Sequence, residues 1–204
     1  RLRDGLSIEE TQWFVSENKK FWSRFIDHSL LDFSNFLTML NSRQIEYFKV
    51  KLKERNQDLI DKLNMADADL LRDSQDRLVF DCEKWLGPIT KYQKNQIRSQ
   101  VQNSRFWYES RVRERRHFNK VFIGWLVDKR SSEEIKIDLR RWLIEPETIL
   151  EEDFRQKMES RRNYWINLVL FIDSIITEPQ RKNIIKKFQV YIDEIDRFNG
   201  SLNE

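Results

Sequence analysis

The sequence predicts an all-α protein, and three observations carry that prediction. Glycine and proline are scarce, four and three in 204 residues, which leaves few places to interrupt a helix. Helix-start signals recur at five positions. No stretch alternates apolar and polar residues with the period of a strand. The expected arrangement is an elongated bundle of about seven mostly antiparallel helices, without a sheet, as a single helical domain over residues 1–204.

The elements follow from their punctuation. Ser7-Ile8-Glu9-Glu10 opens a helix over 7–38 with a capping box, in which the cap hydroxyl accepts from an early helical N–H and the Glu reaches back to the cap. A break near Ser29 is open. Asn41-Ser42-Arg43-Gln44 opens 41–63 with Asn as the cap. A helix over 66–86 ends where Trp85-Leu86 meets Gly87-Pro88: Gly supplies the left-handed residue and Pro bars continuation. Thr90-Lys91-Tyr92-Gln93 opens 90–128, and Ser131-Ser132-Glu133-Glu134 opens 132–144, which stops before Pro146. A helix over 148–175 follows. Thr177-Glu178-Pro179-Gln180 opens the last, 177–198, with Gly200 as its stop. Leu6, Leu40, Ile89 and Ile176 each precede a cap, where a hydrophobic staple belongs.

Composition narrows the class. Charged residues make up 35% and apolar ones 39%, a mixture that suits charge-laced helices around a shared core. With 14 Phe, 7 Trp and 5 Tyr, enough apolar area exists to offset chain entropy, so disorder is not expected. The 37 basic residues are nearly cancelled by 34 acidic ones, a net charge of +3; a nucleic-acid binder usually carries a larger or more clustered excess. The longest apolar stretch, Ile166 to Ile176, is interrupted by Asn167, Asp173 and Ser174, too short and too polar to span a bilayer. The chain begins at Arg1 rather than Met and carries no signal peptide, so it reads as a processed or truncated product.

The helical seams hold the candidate site. The last helix has a clean stripe of Ile184, Phe188, Tyr191, Ile195 and Phe198. The 90–128 helix reads Ile97, Val101, Ser104, Tyr108, Arg111, Arg115, Phe118, Phe122 and Trp125, apolar at both ends and cationic in the middle. The 148–175 helix, Phe154, Met158, Arg161, Trp165, Leu168, Ile172 and Ile175, places Arg161 in its seam. The 41–63 helix does the same with Arg55, between Ile45, Phe48, Leu52 and Leu59. Arginines from three helices would make a cationic pocket for a carboxylate or phosphate. Alternatively each pairs with Glu54, Glu109, Glu114 or Glu159, or extends its head to solvent. A third reading is a shifted register, in which Val112 and Trp107 face inward and Asn56 replaces Arg55. The arrangements without an anion site are favoured. Arg111, Arg115 and Arg161, with Tyr108 beside them, are the candidate ligand-binding residues.

Other constellations are weaker. His28 and His117 stand in no metal-ligand spacing, so neither metal nor cofactor is expected. No nucleophile elbow, phosphate loop or Cys pair occurs, and Cys82, at helical spacing from Leu78 and Trp85, reads as a core thiol. No carboxylate pair stands out for acid–base work, so no catalytic residue is assigned. The run Arg111–His117, with Arg105 and Trp107, spreads round its helix and reads as a solvated or ion-paired surface rather than a nucleic-acid patch. The first helix carries Trp13, Phe14, Phe21, Trp22, Phe25, Phe33 and Phe36, more aromatic area than one seam hides. Either it is central and packed on both sides, or it covers a missing N-terminal segment, or it is an exposed partner-binding surface; the central position is preferred.

These motifs resemble the bacterial lipoproteins grouped as domain of unknown function 6279. The resemblance is carried by Arg1-Leu2 with Gly5-Leu6-Ser7, Leu40 through Gln44-Ile45, Glu83-Lys84-Trp85-Leu86-Gly87-Pro88-Ile89-Thr90 with Gln93, Glu159 with Arg162, and Ile176-Thr177 through Gln180-Arg181. The chain departs from the pattern in having Ile rather than Leu before both Thr boxes, and Arg161 where Asn is usual. The Thr-to-Gln boxes are also similar, over a short match, to those of small periplasmic helical chaperones. The resemblance implies a Gram-negative envelope protein with a signal peptide and an acylated Cys upstream of Arg1, on the periplasmic side of the outer membrane. It also implies an upstream helical hairpin, and adds Arg162 to the candidate ligand residues. The expected function is non-enzymatic binding of another protein or envelope component, in a scaffold or chaperone-like role; the alternative is a small anionic ligand held by the Arg cluster.

Overall fold

The structure, a computed structural model, describes residues 5–146 and 152–201, with the side chains of 152–154, 195, 196 and 198–201 left aside. All regular structure among the described residues is helical: α1 Ile8–Thr38, α2 Ser42–Leu63, α3 Asp67–Leu86, α4 Lys91–Ser99, α5 Ser104–Val127, α6 Ser132–Ile144, α7 Glu152–Ile175 and α8 Glu178–Ser201. The all-α prediction holds. The expected start of the seventh helix at 148 lies outside the described residues, as does Arg1-Leu2.

Each of the five cap signals forms the return bond of a capping box. Ser7 N–H donates to Glu10 at 3.1 Å, Asn41 N–H to Gln44 at 3.0 Å, Thr90 N–H to Gln93 at 2.9 Å, Ser131 N–H to Glu134 at 2.9 Å and Thr177 N–H to Gln180 at 2.9 Å. α1 continues through Ser29, whose hydroxyl bonds back to the Phe25 carbonyl within the helix. α8 continues past Gly200 to Ser201, so that glycine is not a stop.

The expected 90–128 helix is two helices. Asn103 takes a left-handed conformation at φ 52°, which Asn tolerates better than most residues with a side chain. The carbonyls released at the break find side-chain donors: Tyr164 donates to Gln100 O at 3.2 Å, and Gln75 to Arg98 O at 3.3 Å. A seam drawn straight from Ile97 to Trp125 therefore crosses a break in the helix and loses its register.

The chain divides into two compact units. The first takes in residues up to Thr11, Leu71–Gln102 and Tyr164 onward; the second takes in Gln12–Leu70 and Asn103–Asn163. The core of the first is Val79, Cys82, Leu86, Ile89 and Ile97, covered by Leu78, Ile172, Ile175, Ile176 and Ile184. The core of the second joins Ile26, Leu30 and Leu37 of α1 to Phe122, Trp125 and Leu126 of α5 and Ile135, Leu139 and Ile144 of α6, with Ile45 and Leu52 of α2 packed against it. Each large apolar side chain buried this way contributes about 1.5–3 kcal/mol relative to exposure.

Polar side chains join α1 to α6. Ser34 is fully buried, its hydroxyl 3.0 Å from that of Ser132, which donates to Asn35 at 2.5 Å. No helix among the described residues is long and apolar enough to cross a membrane.

Candidate functional site

The inward faces of α2 and α5 settle which residues could form a site in the second unit. On α5 the buried positions are Ser104, Ser110, Val112, Phe122, Trp125 and Leu126, and on α2 they are Asn56 and Leu59. The shifted register is the observed one: Val112 and Asn56 turn inward, while Arg111 and Arg55 lie on exposed positions. Desolvation explains the choice, since an unpaired guanidinium in the core would cost several kcal/mol where Val or Asn costs far less.

The candidate arginines take different situations. Arg161 donates to Glu114 at 3.2 Å, across from α7 to α5. Arg115 donates to the Arg55 carbonyl at 3.3 Å. Partial burial holds its pKa below the ordinary arginine value, with the neighbouring charges of Arg111 and Arg55 acting in the same direction and Asp58 against them. Arg55, Arg111 and Arg115 are thus a cationic group on the α2–α5 pair, while Arg161 is joined to a carboxylate. Arg162 is exposed and Tyr108 half-buried.

Arg105, from the same basic run, is a structural clamp. Its guanidinium donates to the Leu63 carbonyl at 2.8 Å and the Met65 carbonyl at 2.7 Å, and its Nε to Asp67, tying the start of α5 to the α2–α3 turn. Arg needs its planar fork to reach three acceptors at once. His117 stacks on Trp142 at 5.7 Å, and no cluster of three His, Cys, Asp or Glu able to hold a metal occurs among the described residues.

The α1 aromatics depart from the preferred central placement. Trp13, Phe14, Phe21, Trp22, Phe25, Phe33 and Phe36 are all exposed, Phe21 at 58% and Phe25 at 54%. Within the second unit α1 buries only a narrow stripe through Ile26, Leu30, Ser34 and Leu37. At 3.6 residues per turn, Phe14, Phe21, Trp22, Phe25, Phe33 and Phe36 fall within an arc of roughly 120° beside that stripe. Trp22 fixes the arc's position against α6: its indole donates to the Leu143 carbonyl at 3.1 Å and its ring stacks on Phe25 at 5.8 Å.

In the first unit the motif residues converge. Gln93 and Gln180 are 5% and 6% exposed. Gln93 Nε2 donates to Gln180 Oε1 at 2.9 Å and to the Ile175 carbonyl at 2.9 Å; Gln180 Nε2 donates to the Pro88 carbonyl at 2.8 Å and to Gln93 Oε1 at 3.2 Å. Each amide thus serves its own cap and the carbonyl two residues before the other cap. Next to this node Asn183 donates to Leu86 O at 3.0 Å, and Lys187 to Lys84 O, satisfying the end of α3. Gly87 has φ +81°, and a Cβ there would stand 2.8 Å from Asn183 Nδ2, so its absence of a side chain serves both conformation and space. Asp173 accepts from Leu6 N–H at 2.8 Å and from Arg181 at 2.6 Å, which fastens the Gly5-Leu6-Ser7 stretch.

Sequence reasoning missed one feature of α2 and α5. Lys49, Lys53, Asn56, Arg116, Asn119 and Lys120 line an open cleft of about 470 Å³. The available signal was the spacing: two cation pairs four residues apart on neighbouring helices.

These observations define a class, an all-α protein with two compact units, one of them locked by interlinked capping glutamines. The chain belongs to the family of unknown function DUF6279, whose model matches residues 4–155. No curated protein and no solved structure matches it.

Proposed function

We propose that this chain belongs to a lipid-anchored, non-enzymatic protein of the periplasmic face of the outer membrane, which binds another envelope protein in a scaffold or chaperone-like role. The observation supporting this reading is the aromatic arc of α1. Six large exposed rings within roughly 120° of one helix are apolar exposure of the kind that marks an interaction site. Rings of this type dominate binding energy where they enter a partner's pocket. An amphipathic helix laid along α1 is the partner chemistry that fits, because its apolar positions repeat with the same spacing. The lipid anchor and the compartment rest on the likeness of the motifs to envelope lipoproteins.

A photo-cross-linking residue in place of Phe14 or Phe33, both exposed on the same arc, tests the reading in intact envelopes. Adducts with a second protein, lost in Phe21→Asp/Phe25→Asp, are expected. Adducts only with another segment of the same polypeptide, or none, would count against it. Phe21 and Phe25 are exposed, so the double variant should unfold within about 0.5 kcal/mol of wild type for each substitution.

A further inference from the structure

The α2–α5 cleft has the makings of a binding site separate from the aromatic arc. Lys49 and Lys53 border it from α2, and Arg116 and Lys120 from α5. Each pair is about one helical turn apart, and the two helices pack together. No Asp or Glu is among the lining residues. Lys49 has a partner outside the cleft, Glu46 at 3.0 Å on the exposed surface, a kind of pair worth little in water. Lys53, Arg116 and Lys120 form no ion pair with a described residue. Three like charges gathered without a counter-charge repel one another, and an anion between them removes that cost.

The floor of the cleft adds apolar surface and an amide donor. Leu52 and Ile123 line it and also pack on the core of the unit. Asn56 lines the cleft as well, 8% exposed overall, with its side-chain amide within reach of solvent rather than sealed in the core. That amide can exchange a water for a ligand oxygen at little cost. Asn119, also at the cleft, is a second amide donor on the facing helix.

We propose that this cleft binds the phosphate of a phosphate monoester or diphosphate. A carboxylate carries one charge and two oxygens, too few for three free cations and an amide donor. A phosphate monoester brings close to two charges and three strong acceptor oxygens. Arg116 presents the planar fork that matches them, with Lys53 and Lys120 as point charges. The volume falls in the range of small-molecule sites, roughly 300–1,000 Å³, so the apolar floor accommodates a small organic body beside the phosphate. Arg111, Arg115 and Arg161 take no part.

A soluble phosphate ester and a phosphomonoester lipid headgroup share this chemistry, and the test separates them. Titration calorimetry with glycerol 3-phosphate and with pyrophosphate probes the soluble form. Sedimentation with phosphatidic acid in phosphatidylcholine vesicles, against phosphatidylcholine alone, probes the headgroup. Saturable binding in at least one arm is expected, weakened tenfold or more in Arg116→Gln/Lys120→Gln, whose positions are exposed and tolerate change. Asn56→Leu, which removes no charge, should weaken it severalfold. Asn56→Ser provides the same reading if the leucine variant does not fold. Arg111→Gln/Arg113→Gln removes equal charge elsewhere on α5 and should stay within twofold of wild type. Binding in the soluble arm assigns a free phosphate ester, and binding confined to vesicles assigns a headgroup. Absence of saturable binding in both arms, or an equal loss in the Arg111/Arg113 control, overturns the proposal.

Discussion

Gln93 and Gln180, 87 residues apart, exchange side-chain hydrogen bonds at 2.9 and 3.2 Å while each closes its own capping box. Every amide hydrogen bond at this node replaces one that water would otherwise supply, in a place water cannot easily enter. The stability at stake is therefore set by what is left unpaired when one partner goes.

Replacing Gln180 by Leu strands Thr177 N–H, the Pro88 carbonyl and one donor of Gln93. A loss of roughly 2–4 kcal/mol follows from such buried unsatisfied groups. Gln93→Leu should cost a similar amount. The double variant should lose less than the sum, because the second change removes a group the first had already orphaned. Urea denaturation followed by circular dichroism reads all three; strict additivity would show that the glutamines act only as separate caps.

The Asp173–Arg181 pair is nearly enclosed, its side chains 12% and 13% exposed. Asp173→Asn keeps an acceptor for Leu6 N–H but removes a carboxylate from beside an enclosed guanidinium, at a cost above the roughly 1 kcal/mol of a surface pair. Amide hydrogen exchange at Leu6 and Ser7 should accelerate along with global unfolding in urea. A change below about 1 kcal/mol, the scale of a surface pair, would show that water reaches the site.

Lys129 closes α5 in the left-handed region at φ 50°, while Arg130 N–H bonds back to the Trp125 carbonyl at 3.2 Å. A side chain there costs about 1–2 kcal/mol that glycine does not. Lys129→Gly should therefore raise the unfolding midpoint, by up to about 1 kcal/mol once the greater freedom of the unfolded glycine chain is subtracted. Destabilisation in the same measurement would argue that the residue is not left-handed in solution.

Burial, with Asp81 and Glu83 alongside, pushes the Cys82 thiol from its ordinary 9.0 up to about 11. The native protein should accordingly react slowly with a thiol-specific disulfide reagent at pH 8, with full reaction only after unfolding. Below pH 9 both states keep the proton and the thiol does not affect stability. Between pH 9 and about 11 the unfolded chain ionises first, so native stability falls as pH rises. Cys82→Ala should flatten that part of the stability profile.

The helix starts were legible because a capping box closes within four residues, and so was the Gly87-Pro88 stop. The candidate arginines show the opposite case. Spacing put Arg55, Arg111 and Arg115 in the seams as readily as Asn56 and Val112, and nothing local decides between faces one residue apart. The α4–α5 break was missed for a related reason: Asn103 is compatible with a helix interior as well as with the left-handed turn it adopts.

Taken by itself, the sequence determined the helical class, most element boundaries and the family, all of which rest on bonds between near neighbours or on the order of motifs. Tertiary structure decided what depends on desolvation by distant residues. It turned Arg55 and Arg111 outward, joined Gln93 to Gln180 in one network, left the α1 rings exposed and brought four cations to one cleft between α2 and α5. The physical difference is range: a cap satisfies its donors inside its own turn, whereas the cost of burying a charge or an amide is known only once the opposing helix is in place.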